Sequence, residues 1–567
     1  MPDRLDLSIV ENDLTREGLQ PAGPMSWLLR SYDAPDDFWA ALLAANAALF
    51  PWPGKSRLHG KYDFFHDIIA RNLQNPSPAF RWVREGTGWR ELDYRRLGTL
   101  AAEKAARWEK LGACAGSRLC LVSHLNDRLL IAFLAALKIG MIVSLLPPWG
   151  YSFLRRRIDE LTPDHIWVPE DYAPLLFPYR SLILGEGGGG RGDADDSRSH
   201  SYSAFEPFAL CFDPTTDPPH VPRELSADSA YLCAVRDGTV ALGLKPGKEL
   251  AAPGFGLMDV QPAMLLACLL SGATFVHIDE SELAHNPGLL AQRPLRAVGI
   301  TEAVRNVLLD SPVEIGKNWE FWFRDPAASQ DLETWKDFVE ALKLGGIFAG
   351  NQRWNASLGG CILFSVRRKG SAHHFVLPAA GVPWQLVEAA DEKRLSLWAG
   401  GVFAVKPAGV KEGIAAGGML AESRNEWVFI RPVLPGRSGR HYPVREVLDA
   451  LCDLPFGSSC SMVEAPASRP DGSSLFILLV FAGGRRVNEA AVAERIRKTV
   501  LRELGREFLP DRIQVVALHP RRGEDGGIDH DWCGREYLSG GIARRQEGEV
   551  YRCLTDLRDL IHFSRQE

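Results

Sequence analysis

The sequence predicts an α/β protein with a large N-terminal α/β region and a small C-terminal α+β domain. Three observations lead there. Strand-like and helix-like patterns alternate from Tyr62 onward, which calls for parallel strands joined by crossover helices. The chain has 567 residues, more than one hydrophobic core organises, so at least two domains are expected. The stretch 437–545 carries a helix–strand–helix–strand pattern of its own.

Residues 1–60 read as an irregular N-terminal extension with one amphipathic helix near 36–50. The large domain is expected over 61–436. Its first elements are a helix at 64–72, strands at 79–84 and 89–94, and a strong amphipathic helix at 95–111 closed by Gly112. A strand at 119–123 follows. The apolar run 129–146 holds a single charge, Lys138, and is long enough to be weighed as a membrane span. Asn126 and Asp127 supply an N-cap signal, Gly140 a stop, and Pro147-Pro148 a second stop, so the run reads as helix, turn and buried strand. Residues 185–203 are rich in Gly, Asp and Ser and read as a flexible surface loop. An apolar run at 230–235 reads as a strand leading into a loop, and a helix at 264–270 precedes a strand at 275–278. The small domain over 437–545 is expected to hold helices at 444–451 and 489–504 and strands at 475–481 and 513–517, with 546–567 as a helical tail.

Bulk properties narrow the function. Hydrophobic residues make up 46% and charged residues 24%, the balance of a globular protein, and the net charge of −6 provides no basic field for nucleic acid. The ten cysteines include no Cys-x-x-Cys pair, which favours reduced thiols and a cytoplasmic location over a disulfide framework or a zinc site. The first residues show no basic segment followed by an apolar one, so no signal peptide is expected. No metal site is expected.

Several segments recur in the order of a known family. Trp89-x-Glu91-Leu92-x-Tyr94-x-x-Leu97 is followed by Gly116-x-Arg118-x-x-Leu121, then by Phe133-Leu134-Ala135-Ala136-Leu137-Lys138-x-Gly140. Later come Leu269-x-Ser271-Gly272-Ala273-Thr274, Gly439-x-x-Tyr442-Pro443-x-x-Glu446-Val447 and a closing Gly526-Gly527-Ile528-Asp529. In this order and spacing the chain resembles the adenylate-forming superfamily, which includes AMP-dependent acyl-CoA synthetases and carrier-protein-loading adenylation domains. The resemblance implies an adenylate-forming-ligase fold over most of the chain. It also implies that the motifs carrying chemistry have changed. The family's C-terminal lysine, which meets the α-phosphate and carboxylate, corresponds to Gly527. Its phosphate loop corresponds to Gly238-Thr239, with Lys245 and Lys248 shortly after, which makes Gly238, Thr239 and Lys245 the cofactor-binding candidates. Its segment with an adenine-side aromatic and a Mg²⁺ glutamate corresponds to 351–357. Trp354, Asn355 and Ser357 are therefore the substrate-pocket candidates, with Ser357 in place of the glutamate. The ribose-binding aspartate has no clear match near Glu422 and Glu426, and Arg431 is the nearest match to the ribose-contacting arginine.

Three functional readings follow from the resemblance. The first is a degenerate ligase that binds an acyl group, an acyl-thioester or an acyl carrier protein without efficient adenylation. The second is a divergent active ligase that uses ATP and Mg²⁺, with Lys245 or Lys248 replacing the lysine lost at Gly527. The third is an ATP-independent acyl-thioester enzyme that reuses the pocket. Losing one donor to a charged transition state typically costs about 10²–10³ in rate. Coincident loss of lysine, metal carboxylate and phosphate loop therefore favours the first.

Overall fold

Helix Asp127–Ile139 begins where the Asn126 side chain accepts a hydrogen bond from the Leu129 amide at 2.9 Å. It ends at Gly140, whose φ of 93° is the left-handed conformation of a helix stop. Strand Ile142–Leu146 follows, parallel to Arg118–Val122. The apolar run is therefore helix, turn and strand, and among the described residues no helix is long and apolar enough to cross a membrane.

The computed structural model of the chain describes residues 28, 31–32, 35–49, 61–84, 88–185, 198–213, 219–310, 318–327, 332–365, 367–370, 372–373, 375–381, 384–387, 400–405, 414–423, 426–432, 436–437, 440–455, 457–466, 474–484, 487–523 and 526–545. They fall into two units. The first comprises Met1–Pro148 and Arg157–Leu434, the second Trp149–Arg156 and Pro435–Glu567.

The first unit holds two large sheets. At the centre of the 14-stranded sheet six strands run parallel, in the order Pro78–Arg84, Thr274–His277, Glu249–Ala251, Leu295–Gly299, Trp319–Arg324 and Phe348–Asn355. Gly88–Asp93 closes one side antiparallel, and antiparallel strands from Gly360–Phe364 to Trp384–Val387 extend the other. The five-stranded sheet runs His165–Trp167, Arg118–Val122, Ile142–Leu146, Pro207–Phe212 and Pro222–Ser226, with only the last pairing antiparallel. Helices Asp127–Ile139 and Gln261–Leu270 are buried on nearly every side, which accounts for their almost unbroken apolar sequences.

Two expectations need correction. The run 230–235 is not a strand but part of helix Ala227–Arg236. Ser226 caps it by accepting from the Ser229 amide at 3.3 Å, and Asp228 lies in its first turn. Burial all round gives it the continuous apolar pattern that a buried strand also shows. The second correction concerns the expected loop at 185–203. Residues 186–197 lie outside the described residues, but Tyr202–Ser203 forms a strand with Lys61–Tyr62, and Tyr202 is fully buried. Helix Pro35–Leu49 occupies the expected place in the N-terminal extension, and the expected tail at 546–567 lies outside the described residues.

In the second unit, strand Ser474–Phe481 pairs antiparallel with Cys460–Pro466 and parallel with Arg512–Val516. Helices Val444–Leu451, Glu489–Glu503 and His530–Leu538 complete it. Tyr442 stacks on Phe476 with ring centres 4.1 Å apart and donates to the Phe508 carbonyl at 2.6 Å. Trp149 and Phe153 both pack on the Phe508 ring, each 5.6 Å away.

Candidate functional site

In open parallel sheets, ligand sites form outside the carboxyl ends of the strands. Strand Phe348–Asn355 runs parallel to Trp319–Arg324, so both deliver their last residues to the same edge. Arg324, Asp325, Arg353, Asn355 and Ser357 are therefore carboxyl-edge residues. Lys245 and Lys248 precede strand Glu249–Ala251 of the same parallel set and lie at the opposite, amino edge. There Lys248 is ion-paired with Glu320 at 2.7 Å, while Lys245 is exposed.

The turn Ala356–Leu358 follows strand Phe348–Asn355 and is held from the second sheet. Asp213, just beyond strand Pro207–Phe212, accepts from Asn355 Nδ2 at 2.9 Å and from Ser357 Oγ at 3.2 Å. The Ser357 hydroxyl has one proton, which Asp213 Oδ2 and Asn355 Oδ1 share, Asn355 Oδ1 being the nearer at 2.7 Å. All three side chains are buried. Arg223 Nη1 stands 4.0 Å from the same carboxylate oxygen. Asp213 carries no motif of its own and is 144 residues from Ser357, so no local signal connects them in sequence. Among the described residues, no cluster of three or more His, Cys, Asp or Glu side chains is arranged to hold a metal.

Trp354 donates from its indole nitrogen to Gln352 at 3.0 Å, and Gln352 in turn donates to the Ala241 carbonyl at 2.6 Å. The Trp354 ring is part of the hydrophobic core. Arg353 is buried and pairs with Asp325 at 3.2 Å.

Gly238 and Thr239 lie in a wide helical turn, Asp237–Ala241, that continues helix Ala227–Arg236. Thr239 Oγ1 donates back to the Val235 carbonyl at 2.8 Å. Gly238 lies against helix Gln261–Leu270, where a Cβ would stand 2.1 Å from Ser271 Oγ. The carbonyls that end the turn are also taken, Ala241 by Gln352 and by Arg367 Nη2 at 2.8 Å. Beside it, buried Asp237 bonds Arg236 Nε and the Cys361 amide, each at 2.7 Å. Burial pushes the Asp237 carboxyl upward, against the pull of Arg236.

Arg431 lies on strand Glu426–Pro432 opposite Met419, and Glu422 lies opposite Trp427. In the second unit, Gly527 belongs to a hairpin in which Arg522 bridges Ile528 and the Gly527 carbonyl accepts from the Gly523 amide at 2.9 Å.

Next to the Ala356–Leu358 turn, the first unit contains an apolar cavity of about 40 Å³. Phe133, Phe208, Leu225, Met258, Leu266 and Ala356 are among its lining residues. The predicted pocket residues Trp354, Asn355 and Ser357 are not among them; the turn contributes Ala356 and Gly359 instead.

No protein-family model matches the chain, and no curated protein does. Among solved structures, it is similar to the fatty acyl-adenylate ligase from L. pneumophila in complex with acyl adenylate and pyrophosphate. The TM-score is 0.61 at 12% sequence identity, over 84% of this chain and 96% of that one. The chain thus has the fold of an adenylate-forming ligase, with a large N-terminal α/β region and a small C-terminal domain.

Proposed function

We propose that the chain is an AMP-dependent synthetase/ligase-like protein of acyl metabolism, impaired in ATP-dependent adenylation. It would bind an acyl group or acyl-thioester, with an acyl carrier protein as its partner. The observation that carries this reading is that the side chains at the implied nucleotide positions are committed to other protein groups. Ser357 and Asn355 are closed on Asp213, Arg353 on Asp325 and Thr239 on the Val235 carbonyl, while Gly238 and Gly527 carry no side chain at all. Adenylation needs preorganised positive charge and a metal around the α-phosphate, and none of these groups supplies it. The reading with Lys248 as a replacement lysine loses support from its ion pair at the amino edge.

Calorimetric titration of the full chain with ATP and Mg²⁺ tests the proposal. The expected outcome is no detectable heat from a folded sample. Binding tighter than about 1 mM, roughly 4 kcal/mol, would overturn it and make pyrophosphate release with a panel of carboxylic acids the next measurement.

A further inference from the structure

We infer that the chain carries a small oxyanion site at the carboxyl edge of its sheets and fills it with its own Asp213 carboxylate, which stands where an external anion would. Asn355, Ser357 and Arg223 surround it. The site itself stands on geometry; its functional meaning, that one side chain keeps an anionic ligand out, rests on the reading of impaired adenylation.

The first ground is convergence. Strand Pro207–Phe212 runs parallel to Ile142–Leu146 and delivers Asp213 to the carboxyl edge of the five-stranded sheet. Strand Phe348–Asn355 delivers Asn355, and the turn after it Ser357, to the carboxyl edge of the larger sheet. Ligand sites of parallel sheets form at such edges. Three groups stand around one atom, Asp213 Oδ2: Asn355 Nδ2 at 2.9 Å, Ser357 Oγ at 3.2 Å and Arg223 Nη1 at 4.0 Å.

The second ground is an unmet donor. Arg223 lies on strand Pro222–Ser226, opposite Cys211. Its Nη1 is buried and has no hydrogen-bond partner among the described residues. At 4.0 Å it attracts the carboxylate without donating to it. A buried donor left in this way costs free energy until an acceptor reaches it. A free oxyanion can place an oxygen there, whereas the Asp213 carboxylate is tethered to its backbone. The site therefore suits a free anion better than its present occupant.

The third ground is access. The Asp213 side chain is 1% exposed, but that of Arg223 is 35% exposed, so the guanidinium links the buried carboxylate to solvent. Asp213 also lies one residue beyond the strand ladder, whose last pair is Phe212 with Pro222. Its side chain can leave without breaking that pairing.

The test is the melting temperature of full-length Asp213→Ala in increasing sodium formate, with sodium chloride at matched ionic strength as the control. Losing the carboxylate removes the acceptor of Asn355 Nδ2 and vacates the volume of one formate ion. The variant should melt lower than the unaltered protein in chloride, then rise with formate and level off as the site saturates. Adding Arg223→Met should raise the half-saturating formate concentration about tenfold, the factor that one hydrogen bond to a charged group supplies. The unaltered protein should respond to formate no more than to chloride. A parallel series with inorganic phosphate separates the sources: a response to both salts assigns the site to oxyanions in general, and a response to formate alone narrows it to carboxylates. Asp213→Ser takes the place of the alanine variant should that one not fold. No gain over chloride in a folded variant, an equal gain in the unaltered protein, a response unchanged by Arg223→Met, or failure of both variants to fold even in formate overturns the inference. ATP binding by the unaltered chain overturns the reading of impaired adenylation instead, and leaves the formate result standing.

Discussion

A methyl group in place of the Gly238 hydrogen would sit 2.1 Å from Ser271 Oγ and 2.8 Å from the Ala267 carbonyl oxygen. The serine can turn away, but the helix backbone cannot. Gly238→Ala should therefore destabilise the protein by about 1–3 kcal/mol, read as a lower urea midpoint. A glycine kept only for phosphate contact would leave that midpoint unchanged. Lys248 allows a second measurement at this scale. Burial raises the Glu320 carboxyl, but hydrogen bonds from Lys248 and Arg296 outweigh it and hold the group below its usual value. A carboxylate depressed on folding stabilises the protein above its unfolded pKa, and the contribution is lost as pH falls through the folded one. Both partners are partly exposed, so Lys248→Met should cost no more than about 1 kcal/mol at pH 7. The difference from the unaltered protein should fade as the medium is acidified past the Glu320 pKa, as denaturant midpoints across that range would show.

Single elements were legible where caps and periodicity agreed. Asn126, Gly140 and Pro147-Pro148 bracket the helix and strand in both sequence and structure, and helix Val444–Leu451 has the expected bounds. Gly140→Ala tests how firmly one such stop is built. Its φ is 93°, and a Cβ would meet the His200 ring at 2.3 Å. A loss of about 1–3 kcal/mol is expected from backbone strain together with crowding, measured by chemical denaturation. The apolar run of helix Ala227–Arg236 has the pattern of a buried strand, although Ser226 and Asp228 supply a helix-start signal. The site was less legible than the fold. Motif order indicated Asn355 and Ser357, but their partner Asp213 comes from another sheet, and only the tertiary structure brings them together. The cavity walls are ordinary core residues in sequence: Phe133 falls in one of the recurring segments without being marked as a pocket residue, and nothing distinguishes Phe208 from other buried aromatics.

Across the whole molecule, similarity over 84% of the chain at 12% identity shows that the architecture persists under very different side chains. The fold therefore settles little about chemistry. The ATP titration belongs to the full chain because the implied nucleotide positions are spread over both units, Gly527 in the second and 351–357 in the first. The second unit also includes Trp149–Arg156, so its sequence is written in two pieces separated by Arg157–Leu434, roughly 280 residues. A span of that length adds little to the free energy of closure, because the cost grows only with the logarithm of loop length. Time is affected more. A ribosome adding about 5–20 residues per second takes roughly 15–60 s to cover that distance. Through that interval Trp149 and Phe153 are already synthesised while Phe508, the ring both pack on, is not. The nascent chain thus carries an aromatic pair awaiting its partner.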